Sequence, residues 1–299
     1  MQRLLLIDAS PYIFRAYYSI PASMVDSDNR PTNAVYGFAA FLCQLLEQER
    51  PEFVAVAYDE SLTTSFRNEI FPEYKAQREL PPPELEYQMQ RCQELTRTMG
   101  LPSFVDRRYE ADDIIGTLAH RLRDNGLRVT IVTNDKDLTQ LLLPGDTWWD
   151  YARDRRLDAE GVQQQFGVRP DQIVDMLALM GDKVDNIPGV PGIGPQTAAR
   201  LLQAFGSVEA LYQRLDELPD QKIRGAARLA ERLQQYQQQV WLSQRLARIA
   251  TDAPVTASLN DLRWQPPDAA KLEALFDRLG FGTGIRERIK SLMQIHHSQ

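Results

Sequence analysis

Three short runs of consecutive apolar residues stand out along the chain: RLLLI at 3–7, FVAVAY at 53–58 and RVTIVT at 128–133. Apolar residues at helical spacing fill the segments between them. Runs of this length are typical of strands buried on both faces, and their alternation with helices indicates a parallel sheet. We therefore predict an α/β fold, with a parallel central sheet covered by helices on both faces.

Aspartates follow each of the three runs. Asp8 follows the first, Asp59 the second, and Asp135 and Asp137 the third. Because ligands bind outside the carboxyl ends of parallel strands, we expect these side chains to share one rim. Any one of them also suits the start of the next helix, where an acidic side chain caps free N–H groups. The stretch EADD at 110–113 opens a further helix with three carboxylates in four residues, which exceeds what capping needs and indicates a cation.

Helices and tight turns replace the alternating pattern after Gly167. VRPDQIVDMLALMG predicts a helix, GDKVDN a connection that contains Asp182 and Asp185, and IPGVPGIG a hairpin loop. PQTAARLLQAFG predicts a helix with Pro195 in its first turn and Gly206 at its end. An acidic pair suggests a metal ion, whereas a glycine-rich turn with exposed N–H groups suggests a phosphate. The hairpin taken alone also fits a plain corner between helices.

Composition and charge narrow the classes of function. With 299 residues, 43% of them hydrophobic, the chain can bury a sizeable core. No apolar stretch is long enough to cross a bilayer and the N-terminus does not look like a signal peptide, so we expect a cytoplasmic protein without membrane contact. The two cysteines have no histidine at zinc-site spacing. Two of the three histidines lie in the polar C-terminal tail, which argues against histidine-centred acid–base chemistry. Although the net charge is −7, basic residues are dense at 67–78 and 222–232, so a basic track for nucleic acid can coexist with an acidic pocket.

Seven motifs follow one another between about residues 3 and 253: LLIDASPYIFRAYY, PTNAVYGF, AYDESLTTSFRNEIFPEYKAQR, YEADDIIGTLA, TNDKDLTQLL, LALMGDKVDNIPGVPGIGPQTAARLL and LSQRLARIATD. In this order they resemble the bacterial 5′ nucleases of the flap-endonuclease superfamily, notably the 5′→3′ exonuclease domain of DNA polymerase I. No polymerase segment follows them, so we expect a free-standing nuclease.

The resemblance implies two metal sites made of carboxylates. The first would be formed by Asp8, Asp59, Glu110 and Asp112. The second would be served, directly or through water, by Asp113, Asp135, Asp137, Asp182 and Asp185. Hard oxygen ligands suit two Mg²⁺ ions per active site, with Mn²⁺ as a substitute. Two such ions about 4 Å apart would activate a water and stabilise the leaving oxygen of an in-line displacement.

The resemblance also implies that the loop after Asp185 is a helix-hairpin-helix. Such a turn offers backbone N–H groups to DNA phosphates without reading the base sequence. In the family it also binds a monovalent cation, K⁺, through backbone carbonyls. The residues expected to contact DNA in and beyond the hairpin are Gly189, Val190, Gly192, Ile193, Gly194, Gln196, Thr197, Lys222 and Arg224.

The segment FRNEIFPEYKAQR resembles the start of the family's helical arch, through or under which single-stranded DNA passes. By this resemblance Lys75 contacts the scissile phosphate, and Arg67 and Arg78 help to hold the strand. Tyr74 is placed to stack on a base. If the segment is helical, Lys75 and Arg78 share one face. Arg67 taken alone fits an exposed basic helix better.

We predict three parts: a catalytic α/β domain over 1–167 with the arch at about 63–98, a helix-hairpin-helix DNA-binding subdomain over 168–253, and a C-terminal tail with a short helix over 254–299. The predicted activity is that of a structure-specific 5′→3′ exonuclease and flap endonuclease, used in RNA primer removal and DNA repair. Its partner is DNA with a 5′ single-stranded flap or end at a duplex junction, and we expect a monomer.

Two alternatives to this activity exist. A catalytically attenuated DNA-junction-binding protein of the same fold would share the helices and the hairpin, but the complete acidic set argues against it. A related acidic-pocket ribonuclease would share the sheet, but the hairpin and arch segments argue against that.

Overall fold

A computed structural model describes residues 2–60, 64–221, 223 and 225–297. Its strands are β1 (Arg3–Asp8), β2 (Phe53–Asp59), β3 (Ser103–Asp106), β4 (Arg128–Val132), β5 (Thr147–Asp150) and β6 (Arg155–Leu157). Its helices are α1 (Ser10–Ser19), α2 (Asn33–Glu49), α3 (Phe66–Ile70), α4 (Pro83–Thr98), α5 (Ala111–Leu122), α6 (Ala159–Phe166), α7 (Ile173–Met180), α8 (Pro195–Phe205), α9 (Val208–Gln213), α10 (Ala226–Gln235), α11 (Gln237–Ala247), α12 (Ala269–Arg278) and α13 (Thr283–His297).

The chain divides into two compact units, which we call unit 1 and unit 2. Unit 1 comprises Met1–Glu60, Glu79–Thr133 and Thr251–Gln299. Unit 2 comprises Ser61–Arg78 and Asn134–Ala250. Among the helices described, none is long and apolar enough to cross a membrane. Lys222 and Arg224, two of the expected DNA contacts, lie outside the described residues.

Unit 1 contains four parallel strands in the order β3-β2-β1-β4. Ile7 of β1 pairs with Val56 on one side and Val132 on the other. After Arg3, every residue of β1 is buried. Because successive residues of a strand point to opposite faces, this continuous burial means that both faces of the sheet are covered. The parallel sheet expected from the three apolar runs is therefore confirmed, whereas β3, only four residues long and half-buried, was not predicted.

Helices α1, α4 and α13 pack against α2 within unit 1, and α5 packs on β1, β2 and β3. One final helix was expected in the C-terminal region, and α12 matches it. The further helix α13 was not predicted, because its polar sequence has no clear capping signal. It is fixed to α2 by Arg288, whose Nε and Nη2 donate to the two carboxylate oxygens of Glu47 at 2.9 and 2.6 Å.

Unit 2 is mainly helical, with one antiparallel ladder between β5 and β6. Both strands were missed because they contain only four and three residues. Helix α7 packs against α8 and α11. As expected, α8 starts at Pro195 and ends before Gly206.

The hairpin loop folds back tightly on the end of α7. Gly181 and Gly189 both adopt left-handed backbone conformations, with φ of 72° and 56°. A Cβ atom on Gly189 would overlap the backbone of Gly181 and Met180. Only glycine fits at this close approach, which fixes where the hairpin leaves α7.

Candidate active site

Two carboxylates of unit 1 end neighbouring parallel strands. Asp8 is the last residue of β1 and is buried, and Asp59 is the last residue of β2. The hydroxyl of Thr133, just after β4, donates to Asp8 Oδ2 at 2.8 Å. The hydroxyl of Ser10 donates to Asp59 Oδ2 at 2.7 Å. Both carboxylates are therefore held at the carboxyl ends of the strands, as the sequence predicts, and the two hydroxyls that hold them were not anticipated.

The acidic start of α5 lies beside Asp59. The N–H of Ala111 donates to Asp59 Oδ1 at 2.9 Å, which brings this carboxylate to the helix start next to Glu110. Glu110 is buried and Asp112 is half-buried in the first turn. Unit 1 thus places the four carboxylates expected for the first metal site at the ends of two neighbouring strands and in the first turn of α5.

Asp113 caps the helix to which it belongs. Its side chain is fully buried, and its Oδ2 accepts the N–H of Glu110 at 3.1 Å in a reciprocal capping box. This is the role of a helix cap, and the charge also suits the positive end of the helix. The capping bond occupies one carboxylate oxygen, and service to the second metal site, directly or through water, stays a prediction for Asp113.

A second acidic group lies in unit 2, where Asp135 precedes the 3-10 helix Lys136–Leu141. Asp135 Oδ1 accepts the N–H of Asp137 at 2.8 Å. Lys136 Nζ lies 3.0 Å from Asp137 Oδ1 and donates to Asp182 Oδ2 at 2.6 Å. One ammonium group therefore links carboxylates that are far apart in sequence. Its position between Asp135 and Asp137 was the only sequence signal for this role, and it was missed.

Burial and neighbouring charges shift the pKa values of the acids in this group. Burial, and then the charge of Asp135, raises the pKa of Asp137 to about 7. Burial also raises the pKa of Asp135, and the charge of Asp185 adds to the effect. Burial opposes the ionisation of Asp182, but Lys136 and two backbone N–H groups outweigh it and lower the pKa. More negative charge is buried here than Lys136 neutralises, which favours the binding of a further cation.

Asp185 is surrounded by residues of the segment expected to begin the arch. Arg78 Nη2 lies 2.5 Å from Asp185 Oδ1, Lys75 Nζ lies 3.7 Å from Oδ2, and the hydroxyl of Tyr74 donates to Oδ2 at 3.1 Å. The segment is not one helix, since α3 ends at Ile70 before Pro72 and Lys75 has a φ of 55°.

Tyr74 and Arg67 are not placed for the DNA contacts predicted from the resemblance. Only 3% of Tyr74 is exposed, so its ring has no open face on which a base could stack. Only 2% of Arg67 is exposed, and its guanidinium donates to the carbonyls of Leu246 and Arg248. Both predictions are corrected, because the side chains are committed to the interior of unit 2.

The hairpin divides into residues that build it and residues that face outward. Val190 and Ile193 are buried, and their N–H groups donate to the carbonyls of Leu179 and Val190. The N–H of Gly189 donates to Ser243 Oγ at 3.1 Å. The prediction that these three residues contact phosphate is therefore corrected, because their N–H groups donate to partners within unit 2.

The outward donors lie at the start of α8. Within the described part of the chain, the N–H groups of Gly192, Gly194 and Gln196 have no hydrogen-bond partner, whereas that of Thr197 donates to Gly194 O at 3.0 Å. Arg232 Nη1 donates to Pro191 O at 3.1 Å and brings a positive charge to the hairpin, a role that the basic run at 222–232 only hinted at. Three free N–H groups at a helix N-terminus are suited to bind an anion.

The donor chemistry of both acidic groups fits a hard divalent cation, because every candidate ligand is a carboxylate oxygen. In the ranges 2–60, 64–221, 223 and 225–297, no three Asp, Glu, His or Cys side chains are placed so as to enclose a metal ion. In unit 2 the acids instead contact Lys136, Lys75 and Arg78. Metal ligation would therefore require these acids to exchange part of their contacts with the cationic side chains.

Two known family descriptions match successive parts of the chain. Residues 3–167 match the family described as "5'-3' exonuclease, N-terminal resolvase-like domain", and residues 168–270 match "5'-3' exonuclease, C-terminal SAM fold". The chain belongs to the 5′-3′ exonuclease family.

Relatives of this 5′-3′ exonuclease family member include long bacterial polymerases. DNA polymerase I of Bacillus caldotenax is 44% identical over 285 residues, which are 94% of this chain and 32% of that protein. DNA polymerase I of Pseudomonas aeruginosa is 41% identical over 279 residues, 93% of this chain and 30% of that protein. The chain thus spans about a third of the length of these relatives.

Solved structures of nucleases share the fold of this family member. T5 5′-exonuclease with bound zinc matches with a TM-score of 0.66 and 21% identity, covering 99% of this chain and 100% of that one. The catalytic core of Rad2 in complex with a DNA substrate matches with a TM-score of 0.62 and 17% identity, covering 99% and 92%. These neighbours hold divalent metal ions and DNA, respectively.

Asn at Asp137 and Asn at Asp113 should shift stability in opposite directions in chelator at pH 8. Because the pKa of Asp137 is raised, its buried charge lowers stability as pH rises from the ordinary aspartate range through 7. Asp137→Asn should therefore raise the melting temperature in chelator by about 2–4 °C. It should also reduce the rise in melting temperature that Mg²⁺ causes. Asp113→Asn should instead cost about 0.5–1 kcal/mol through the weakened cap. Calorimetry of both variants is the check, and shifts of the same sign would contradict this assignment.

Proposed function

We propose that the chain is a structure-specific, metal-dependent 5′ nuclease that hydrolyses phosphodiesters near the junction of duplex and 5′ single-stranded DNA. The main support is the group of buried carboxylates around Lys136, where burial, and then the charge of Asp135, raises the pKa of Asp137. The strand-end acids of unit 1 and the family of the chain add support. RNA primer removal and DNA repair, in a cytoplasmic monomer, are the proposed setting.

The carboxylates proposed to bind divalent ions are Asp8, Asp59, Glu110 and Asp112 in unit 1, and Asp135, Asp137, Asp182 and Asp185 in unit 2. We propose Mg²⁺ as the ion, with Mn²⁺ as a substitute, because both prefer oxygen ligands. Bound divalent ions supply an activated water and screen the negative charge of the reacting phosphate.

The chain's own residues orient these acids. Ser10 and Thr133 orient the carboxylates of Asp59 and Asp8 by hydrogen bonds. Lys136 keeps Asp137 and Asp182 together despite their repulsion. Such hydrogen-bonded support of metal ligands tunes the affinity of the site.

Lys75 and Arg78 are proposed to contact the scissile phosphate. Both reach Asp185, so two positive charges lie beside an acid proposed to bind metal. A phosphate that approaches this acid meets them, and it can replace Asp185 as their partner because Arg and Lys both bind phosphate oxygens. Tyr74 holds Asp185 by its hydroxyl and acts as a support for the site.

The proposed function is tested with a 5′-labelled flap on a nicked duplex, compared with a 3′ flap and with blunt duplex. In Mg²⁺ we expect cleavage near the junction of the 5′ flap only, and none in chelator. Binding of the flap without cleavage at any Mg²⁺ concentration would support the attenuated binding protein. Equal cleavage of single-stranded RNA without a junction would support the ribonuclease.

We propose that the N–H groups of Gly192, Gly194 and Gln196, near the start of α8, bind the phosphates of the DNA backbone. K⁺ at the hairpin carbonyls is part of the same proposal. There, the carbonyls of Gly189 and Pro191 already accept hydrogen bonds from Gln239 and Arg232, so the ion would share these oxygens.

Gly194→Val should weaken DNA binding by about tenfold, or about 1.4 kcal/mol, by placing a branched side chain over these N–H groups. A side chain at Gly194 meets open space, so the melting temperature should stay at the wild-type value. Affinities for two duplexes of unrelated sequence are the measurement, with Gly194→Ala as a milder comparison. Loss of binding to one sequence alone would contradict backbone recognition.

A further inference from the structure

The carboxyl end of α11 is bound by the side chain of Arg67. Arg67 Nε donates to Leu246 O at 2.9 Å, and its Nη2 donates to Arg248 O at 3.0 Å. The last carbonyls of a helix have no partners within it and carry partial negative charge, so a guanidinium placed there satisfies both needs. Arg67 therefore joins α3 to the end of α11 by a two-pronged contact.

The guanidinium of Arg67 also lies against aromatic rings of its own segment. Its central carbon is 4.5 Å from the ring centre of Phe66 and 5.9 Å from that of Tyr74. With 2% of the residue exposed, the buried cation is stabilised by these contacts. The interactions at the α11 end thus extend to Tyr74.

Tyr74 links Arg67 to the residues proposed to bind the phosphate. Its hydroxyl donates to Asp185, its carbonyl accepts the amide of Asn68 at 2.8 Å, and its ring centre lies 5.0 Å from Lys75 Nζ. The N–H of Lys75 in turn donates to Asp185 O at 3.1 Å. The segment from Tyr74 to Arg78 is therefore fixed at one end by Arg67 and at the other by Asp185.

Helix α11 holds the other functional segments of unit 2 as well. Gln140 Nε2 donates both to Ala247 O at 3.1 Å and to Asp137 O at 3.0 Å. Ser243 Oγ accepts the N–H of Gly189 in the hairpin at 3.1 Å. The helix is thus a common support for the acids and for the hairpin, and Arg67 attaches the basic segment to the same support.

We infer that Arg67 is a positioning residue, which holds the segment from Tyr74 to Arg78 on the end of α11 so that Lys75 and Arg78 stay beside Asp185. This inference rests on the proposed function for its effect on cleavage. Because Arg67 itself is buried, its loss should slow the reaction of bound DNA and leave DNA affinity nearly unchanged.

The kinetic test compares Arg67→Met, Arg67→Lys and Arg245→Met in single-turnover cleavage of a 5′-flap DNA with Mg²⁺. Arg245 lies on the same helix end but is exposed, so it controls for loss of a charge near the helix terminus. We expect Arg67→Met to lower the saturating rate by about thirtyfold with the Kd for flap DNA within about threefold of wild type, and Arg245→Met to change the rate by less than about twofold. Arg67→Lys keeps the charge but loses the two-pronged fork, so a rate between the other two is expected.

A second experiment does not depend on DNA cleavage. Amide hydrogen exchange in chelator should be faster at 71–78 and 185–187 in Arg67→Met than in wild type, with peptides of unit 1 unchanged and with no such change in Arg245→Met. If Arg67→Met does not fold, Tyr74→Phe tests the same connection, since it removes only the hydroxyl that binds Asp185. For that variant we expect about tenfold slower cleavage at unchanged DNA affinity.

A wild-type rate in Arg67→Met would overturn the inference, and so would a loss of DNA affinity that accounts for the whole defect. Unchanged exchange at 71–78 would do the same even if wild type cleaved no DNA. In that last case the proposed function would fail separately, because the exchange arm does not depend on activity.

Discussion

Asp182→Asn should lower single-turnover cleavage of a 5′-flap DNA in Mg²⁺ by at least about a thousandfold, or about 4 kcal/mol in the barrier, while flap binding stays near wild type. Asparagine has the same shape as aspartate but offers no negative charge to a divalent cation. Asp182 is buried and is the acid that Lys136 approaches most closely, so a neutral side chain there leaves the ammonium without its 2.6 Å partner.

The fold should survive the substitution. Asp182 Oδ1 accepts the N–H of Val184 at 2.7 Å, and an asparagine oxygen can accept the same bond. The backbone of Asp182 pairs with that of Ile187 whatever the side chain. We therefore expect the variant to stay folded in chelator, with a melting temperature lowered only by the loss of the ion pair with Lys136, which separates lost catalysis from lost structure.

Asp171→Asn is the matched control for this prediction. Asp171 also belongs to unit 2, but it is exposed and pairs only with the neighbouring Arg169 in the contacts described here. Surface pairs of this kind contribute little, so its activity should match wild type. If Asp182→Asn and Asp171→Asn were equally active in Mg²⁺, Asp182 would have no part in metal binding.

Gly189→Ala should destabilise unit 2 by more than about 3 kcal/mol. The added Cβ would overlap backbone atoms of Gly181 and Met180, and the backbone cannot rotate away as a flexible side chain would. The positive φ of 56° adds strain for any residue with a Cβ atom. Loss of the close approach should also release the hairpin from Ser243, so DNA binding should fall together with stability.

Gly194→Ala is the comparison, because a Cβ there meets open space. Urea unfolding of the two variants, followed by circular dichroism, is the measurement. We expect a clear fall in the midpoint for Gly189→Ala and none for Gly194→Ala. Equal midpoints would show that the hairpin does not depend on the approach of Gly189 to the end of α7.

How far sequence predicts this fold depends on how continuous each apolar run is. Strands β1, β2 and β4 were predicted because four or more consecutive residues are buried on both faces, a pattern that polar segments do not imitate. Strands β5 and β6 were missed because they are too short for any periodicity to emerge. Helix α13 was missed for a related reason, since its burial depends on contacts with α2 rather than on a strong pattern of its own.

The acids of the site were easier to predict than their partners. Carboxylates that follow apolar runs or open a helix can be recognised from the sequence. The structure places Asp8 and Asp59 at strand ends and Glu110 at the start of α5. The role of Arg67 could not be predicted, because its acceptor Leu246 lies 179 residues further along the chain. The capping role of Asp113 was one of two roles that the sequence allowed, and the distance to the N–H of Glu110 establishes it.

If the buried carboxylates bind divalent cations for phosphodiester hydrolysis at a 5′ junction, cleavage must depend on the metal. The decisive measurement is the single-turnover rate of 5′-flap cleavage against free Mg²⁺ concentration, with the chelator as the zero point. We expect no cleavage in chelator and, at low Mg²⁺, a rate that rises with a power of the concentration above one, because two bound ions are proposed. Cleavage in chelator at the rate seen in Mg²⁺ would show that these carboxylates do not act through a bound metal.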